Sequence, residues 1–226
     1  MNSSKQLPLD LGSRNAYERE DFWVSPSNQD AVSWIDKWPN WPSSTLIILG
    51  PASSGKTHLL QVWRKTSSGA EIIPDKNIEI SVESLAAEGV KNLILDGIGS
   101  IAGNLDKEKA LFHIYNLTKE RQGTLVISAE KPIKDYEFKL PDLKSRLLAA
   151  TTATITTPDE YLITILLSKL FSDKQIFVPQ DVISFLVPRV ERSFKSVNEL
   201  VDKLDYQSLS GKKPITIPLV KSILSK

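Results

Sequence analysis

The sequence predicts an α/β fold: a core with a parallel sheet flanked by helices, then a small all-helical C-terminal lid. Three observations carry this. Short apolar runs at 45–49, 92–96 and 123–128 alternate with stretches of helical spacing, the pattern of strands joined by crossover helices. Those runs are nearly continuous in apolar residues, as strands buried on both faces are. From Pro158 onward the strand signal fades, and helical stretches separated by Pro, Gly and Ser take over.

Taken in order, residues 26–38 read as a first helix, with Ala31, Val32, Trp34 and Ile35 on its apolar face. Residues 45–49 form a buried strand, and the run at 58–63 is compatible with a helix. The strand at 92–96 ends in a carboxylate, Asp96. Residues 107–121 have helical spacing through Leu111, Ile114, Tyr115 and Thr118. A strand at 123–128 and a short one at 153–156 complete the sheet. Residues 160–171, 179–187, 196–208 and 217–224 supply four lid helices. The division is a tail at 1–20, an α/β core at 21–157 and a lid at 158–226. No internal repeat or low-complexity segment interrupts it.

Composition narrows the class. The chain has 226 residues, and its 28 Lys+Arg nearly balance 27 Asp+Glu, so no strong global field draws it to nucleic acid or anionic lipid. It has no cysteine, hence no disulfide and no thiolate metal site. Residues 1–11 lack the continuous apolar core of a signal peptide, and no run approaches a membrane span. A soluble cytoplasmic protein with no membrane partner is the expectation.

The chemistry concentrates at Gly50-Pro51-Ala52-Ser53-Ser54-Gly55-Lys56-Thr57, which matches G-x-x-x-x-G-K-[ST] at every fixed position. A strand delivers this loop and a helix carries it away, starting near His58, so backbone amides and the helix N-terminus face one place. That geometry suits the phosphates of ADP or ATP. Lys56 then reaches the phosphates and Thr57 holds Mg²⁺. Asp96 is the second Mg²⁺ candidate; the alternative is a strand-end Asp that caps a turn. Elsewhere the plainer readings win. His58 and His113 lack metal-ligand spacing, Trp34, Trp38, Trp41 and Trp63 read as packing residues, and no G-x-S-x-G elbow occurs.

Four segments recur in a familiar order: residues 21–28, the phosphate loop, residues 95–103 and Leu143-Lys144-Ser145-Arg146-Leu147. Together they resemble the AAA+ module of the DnaA family, from about residue 22 to the C-terminus. The resemblance implies base contact by Phe22, Trp23 and Val24, and a sensor strand ending at Ser128-Ala129-Glu130. Gly97 stands where many such ATPases carry the acid that polarises attacking water. That assistance is typically worth ~10²–10⁴-fold, so slow intrinsic hydrolysis is expected, with Glu130 as a candidate partial substitute. Arg146 matches the arginine that AAA+ proteins present, on a loop, to a neighbouring subunit's nucleotide. The alternative is a surface arginine paired with Asp142 or Asp159. The family's other arginine in this box falls on Asp142. Residues 197–200 resemble the sensor-2 stretch, with Asn198 in place of its arginine. Lys195 or Arg192 is then the candidate for phosphate contact, against the alternative of two solvated charges.

Two further features narrow the resemblance. DnaA continues into a helix-turn-helix domain, whereas this sequence ends at Lys226, so sequence-specific DNA binding is not expected. In the tail, Gln6-Leu7-Pro8-Leu9-Asp10-Leu11 alternates so that Leu7, Leu9 and Leu11 share one side of an extended chain. It resembles the Q-L-x-L-x-L peptide by which bacterial proteins hold the replication sliding clamp; an edge strand of the chain's own sheet is the alternative. The combination is similar to the Hda family. That similarity implies regulatory inactivation of DnaA, with DnaA and the sliding clamp (the DNA polymerase III beta subunit) as partners and a homo-oligomer as a further possibility. The other readings are an autonomous ATPase motor or helicase loader of the DnaA/DnaC type, and a nucleotide-binding structural adaptor.

Overall fold

The computed structural model describes residues 23–67, 70–73, 78–79, 82, 84–85, 89–211 and 214–224. Gln6, Leu7, Leu9, Leu11 and Phe22 lie outside the described residues. Five parallel strands form one sheet: β1 (Thr45–Leu49), β2 (Glu71–Ile72), β3 (Asn92–Leu95), β4 (Thr124–Ala129) and β5 (Thr151–Thr154), in the order β2-β3-β4-β1-β5. β1 is interior because Leu46, Ile47 and Ile48 have apolar partners on both faces, and each is at most 1% exposed.

The period of two divides the core. Ile47, Leu93, Leu95, Leu125 and Ile127 pack with Leu111 and Ile114 of helix α3 (Leu105–Glu120) on one face. Leu46, Ile48, Ile94 and Val126 pack on the other against α1 (Gln29–Asp36) and α2 (Lys56–Thr66), through Ala31, Val32, Ile35, Leu59, Leu60 and Trp63. Each Val, Leu or Ile among them contributes roughly 1.5–3 kcal/mol on burial.

Beyond β5 the chain is helical: α5 (Glu160–Asp173), α6 (Gln180–Leu186), α7 (Phe194–Gly211) and α8 (Ile217–Leu224). They share a second core of Ile163, Leu167, Phe171, Ile183, Leu186, Val197, Val201, Leu204 and Val220. This lid is seated on the α/β core rather than hung from it. Leu162 of α5 and Phe194 of α7 belong to the same buried cluster as Ala153 and Ile155 at the end of the sheet. Among the described residues no helix is long and apolar enough to cross a membrane.

Some expectations shift. The first helix starts at Gln29 rather than near Pro26, because Asn28 and Ser25 form a turn: the Asn28 carboxamide accepts from the Ser25 amide at 2.8 Å. The last strand begins at Thr151, two residues before the apolar signal at Ala153. One correction bears on function. Arg146 is not on a loop but in the last turn of helix α4 (Pro141–Leu148). Pro141 at the helix start, Asp142 in the first turn and buried Leu143 and Leu147 at i, i+4 define it.

Candidate nucleotide site

β1 ends at Leu49, and the chain is pinned at once by the Gly50 amide donating to the Ala129 carbonyl at 3.0 Å. The loop closes into α2 at Gly55, whose φ of 86° lies in the left-handed region that favours glycine. The first-turn amides of α2, which no helical carbonyl can satisfy, face out of this turn. Ser54 Oγ is buried with no hydrogen-bond partner among the described residues and lines the same cavity. A buried hydroxyl left unpaired costs free energy, which a polar ligand in the cavity would recover.

Lys56 is 9% exposed, and its Nζ donates to the carbonyls of Gly50 at 2.9 Å and Pro51 at 2.7 Å. Burial pushes its pKa below the usual lysine value, partly offset by the charges of Glu130 and Asp96. Asp96 follows β3 and is held from two sides. Thr57 Oγ1 donates to its Oδ2 at 2.6 Å, and the Ser128 hydroxyl donates to its Oδ1. The starts of α2 and the ends of β3 and β4 thus converge on one carboxylate, at the C-terminal edge of the sheet where ligands of open α/β folds bind.

These groups line a cavity of about 1000 Å³, with residues 53–58 on one wall and residues 96–100, Ser128, Glu130, Lys131 and Tyr136 on the other. Its size and donors suit a nucleoside polyphosphate. The Thr57 hydroxyl and the Asp96 carboxylate are hard oxygen donors of the kind Mg²⁺ takes. Among the described residues no group of three or more His, Cys, Asp or Glu could hold a metal. The fit is therefore to an ion completed by phosphates and water, not to a protein cage. Gly97, with φ 104° and ψ 77°, puts no side chain into the cavity.

The structure brings together Ser53, Ser54, Gly55, Lys56, Thr57, His58 and Asp96, with Gly50, Pro51 and Ala52 completing the loop behind them. Other expected residues lie apart. Trp23 lines a separate groove of about 320 Å³ against Thr164, Ile165 and Ser168 of α5, and Val24 beside it is 41% exposed. Lys195 is an exposed side chain 3.7 Å from Glu199, and Arg192 pairs with Glu160; neither lines the phosphate cavity. Asn198 donates to the Phe194 carbonyl of its own helix at 2.7 Å. Arg146 also lies off the cavity. Its guanidinium carbon is 5.3 Å from the Phe112 ring centroid and 5.5 Å from that of Tyr115, and no ion pair joins it to Asp142 or Asp159 among the described residues. Asp159 instead caps α5 through the Leu162 amide.

Two contributors escape sequence reasoning. Ser128 belonged to the sensor strand, but only the register Ile48↔Ser128 puts its hydroxyl on Asp96. Tyr136 lies in an unremarkable stretch; its hydroxyl accepts from the Glu130 amide at 3.2 Å, and Lys131 Nζ sits 4.6 Å from its ring. No sequence signal announces it.

Comparison with known proteins gives concordant results. The family model of the Hda lid domain matches residues 163–224. An uncharacterized protein of Haemophilus influenzae is 30% identical over 230 residues, spanning 98% of this chain and 99% of its own. Domain III of the Thermotoga maritima replication initiation protein DnaA superposes with a TM-score of 0.74 at 20% identity, covering 90% of this chain and 93% of that one. The AMPPCP-bound DnaA of Aquifex aeolicus superposes at 0.66 and 16% identity, covering 88% and 68%. The fold is thus that of an AAA+ module with a helical lid, and the chain belongs to the Hda-like, DnaA-related AAA+ proteins.

Proposed function

We propose that this protein is a nucleotide-binding regulator of replication initiation that stimulates hydrolysis of ATP held by DnaA. Its own cavity binds ADP or ATP, with Lys56 and the loop amides on the phosphates. Thr57 and Asp96 would hold Mg²⁺, which supplies charge neutralisation between phosphate oxygens. The observation that carries the reading is a separation. Lys56, Thr57 and Asp96 line the cavity, yet no acid stands at Gly97, while Arg146 lies off the cavity with no hydrogen bond or ion pair among the described residues. Such a chain is built to bind nucleotide and to act on another's. An arginine supplied in trans offsets charge developing on the transferred phosphoryl group and is worth ~10³–10⁵ in rate.

The tail peptide Gln6-Leu7-Pro8-Leu9-Asp10-Leu11 docks on the sliding clamp in this reading, an assignment that rests on its sequence alone. Tethering raises the local concentration of Arg146 near DnaA without a tight direct contact. The test is DnaA-bound ATP turnover with DNA-loaded clamp. The wild type should stimulate it, and Arg146→Ala should not, while keeping ADP and clamp binding. Full stimulation by the alanine variant would leave only a tether or adaptor role.

A further inference from the structure

One face of α3 addresses α4 along its length. Glu108, Phe112 and Tyr115 stand at i, i+4 and i+7, a single helical stripe. Glu108 is fully buried, and its Oε2 accepts from the Lys139 amide at 2.8 Å and the Leu140 amide at 2.6 Å, at the entry to α4. Its Oε1 accepts from the Gly103 amide at 2.7 Å. No side chain of α4 caps its own N-terminus, so this carboxylate sets where the helix begins. Leu143 and Leu147 are buried, and Lys144 Nζ donates to the carbonyls of Lys134 and Tyr136. These contacts fix α4 against α3 at its start and against residues 134–136 along its side.

At the far end of the stripe the Phe112 and Tyr115 rings meet Arg146 at 5.3 and 5.5 Å. Both distances are within reach of a cation–π attraction. Among the described residues the guanidinium has no hydrogen bond or ion pair, so the rings restrain it without consuming an N–H.

We propose that Phe112 and Tyr115 are positioning residues that hold Arg146 ready for a partner's phosphoryl group, a role that rests on the trans-arginine reading above. A long arginine side chain left free loses rotamer freedom on binding; one resting on two rings has lost much of it already. Phe112 and Tyr115 are partly buried against the α3 side of the core, so leucine at either position keeps apolar packing while removing the ring face.

The experiment is single-turnover hydrolysis of ATP on DnaA with DNA-loaded clamp and saturating regulator. The Phe112→Leu/Tyr115→Leu double variant should lower the maximal rate roughly 5- to 30-fold, from the strength of two exposed cation–π contacts. The regulator concentration for half-maximal stimulation should stay within about twofold, and Phe112→Tyr should restore the rate in the single-site background. The loss should fall on the maximal rate and not on the half-maximal concentration, a split that general loosening of the fold would not produce. ADP binding reports folding separately. A wild-type or faster rate in the double variant, with Arg146→Ala inactive, overturns the ring proposal and leaves the trans arginine standing. An active Arg146→Ala overturns both.

Discussion

Replacing Glu108 by alanine removes the acceptor of three backbone amides at once, those of Gly103, Lys139 and Leu140. A hydrogen bond to a charged group contributes about 1.5–3 kcal/mol, which sets a ceiling of roughly 4.5–9 kcal/mol for the three. The loss should fall below that ceiling, because Gly103 and Lys139 are exposed residues whose amides water can reach once the side chain is gone. About 3–5 kcal/mol is expected for Glu108→Ala, the range of a broken buried network. Glu108→Gln should cost less, about 1–3 kcal/mol. Its one oxygen can still serve the Lys139 and Leu140 amides, while its NH₂ confronts the Gly103 N–H. Urea unfolding followed by tryptophan fluorescence measures both, with the Trp38, Trp41 and Trp63 cluster as reporter. An alanine variant within about 1 kcal/mol of wild type, or a glutamine variant less stable than alanine, would refute the reasoning.

Other outcomes can be checked on the phosphate site and on the tail peptide. Lys56→Ala should abolish ADP binding by calorimetry and remove the thermal stabilisation ADP confers. The lowered Lys56 pKa also has a sign: between its folded value and the ordinary 10.5 the unfolded chain carries more protons, so stability rises with pH across that window and the cost of charging the buried amine is fully present below it. Urea midpoints at alkaline pH should show this slope in wild type and lose it in Lys56→Met. Isolated protein should turn over ATP far below the ~10 s⁻¹ enzyme median; a rate near it would favour a motor. Leu9→Ala/Leu11→Ala should weaken clamp binding by ~1.5–3 kcal/mol per fully buried side chain and leave ADP affinity unchanged.

What could be read in advance was whatever local rules dictate. The phosphate loop was legible because a strand, a fixed glycine and a lysine leave a rigid spacing, and the bounds of α8 coincide with the apolar run at 217–224. β2 was not, since two residues show no period. α4 was missed although Pro141 and the Leu143–Leu147 pair were visible, because eight residues before a strand look like a connection. Ser128 and Tyr136 join the site only through tertiary placement, which no local pattern encodes. The lid shows the converse. Likeness of residues 197–200 to a sensor stretch did not bring Lys195 to the cavity, because side-chain direction on α7 follows from how that helix packs on α5.

The backbone at Gly97 limits what could stand there. Space is open around a side chain added there, with nothing within 4 Å of its Cβ, so crowding does not exclude an acid. The obstacle is conformation. Its φ of 104° and ψ of 77° lie beyond the left-handed pocket that aspartate tolerates, at a cost of about 1–3 kcal/mol for any other residue. An Asp or Glu installed at this position would therefore sit on a strained turn, so the backbone and not the room in the cavity is what favours glycine here. Restoring a carboxylate by substitution at Gly97 should accordingly cost stability before it could change chemistry, unless the turn is rebuilt around it.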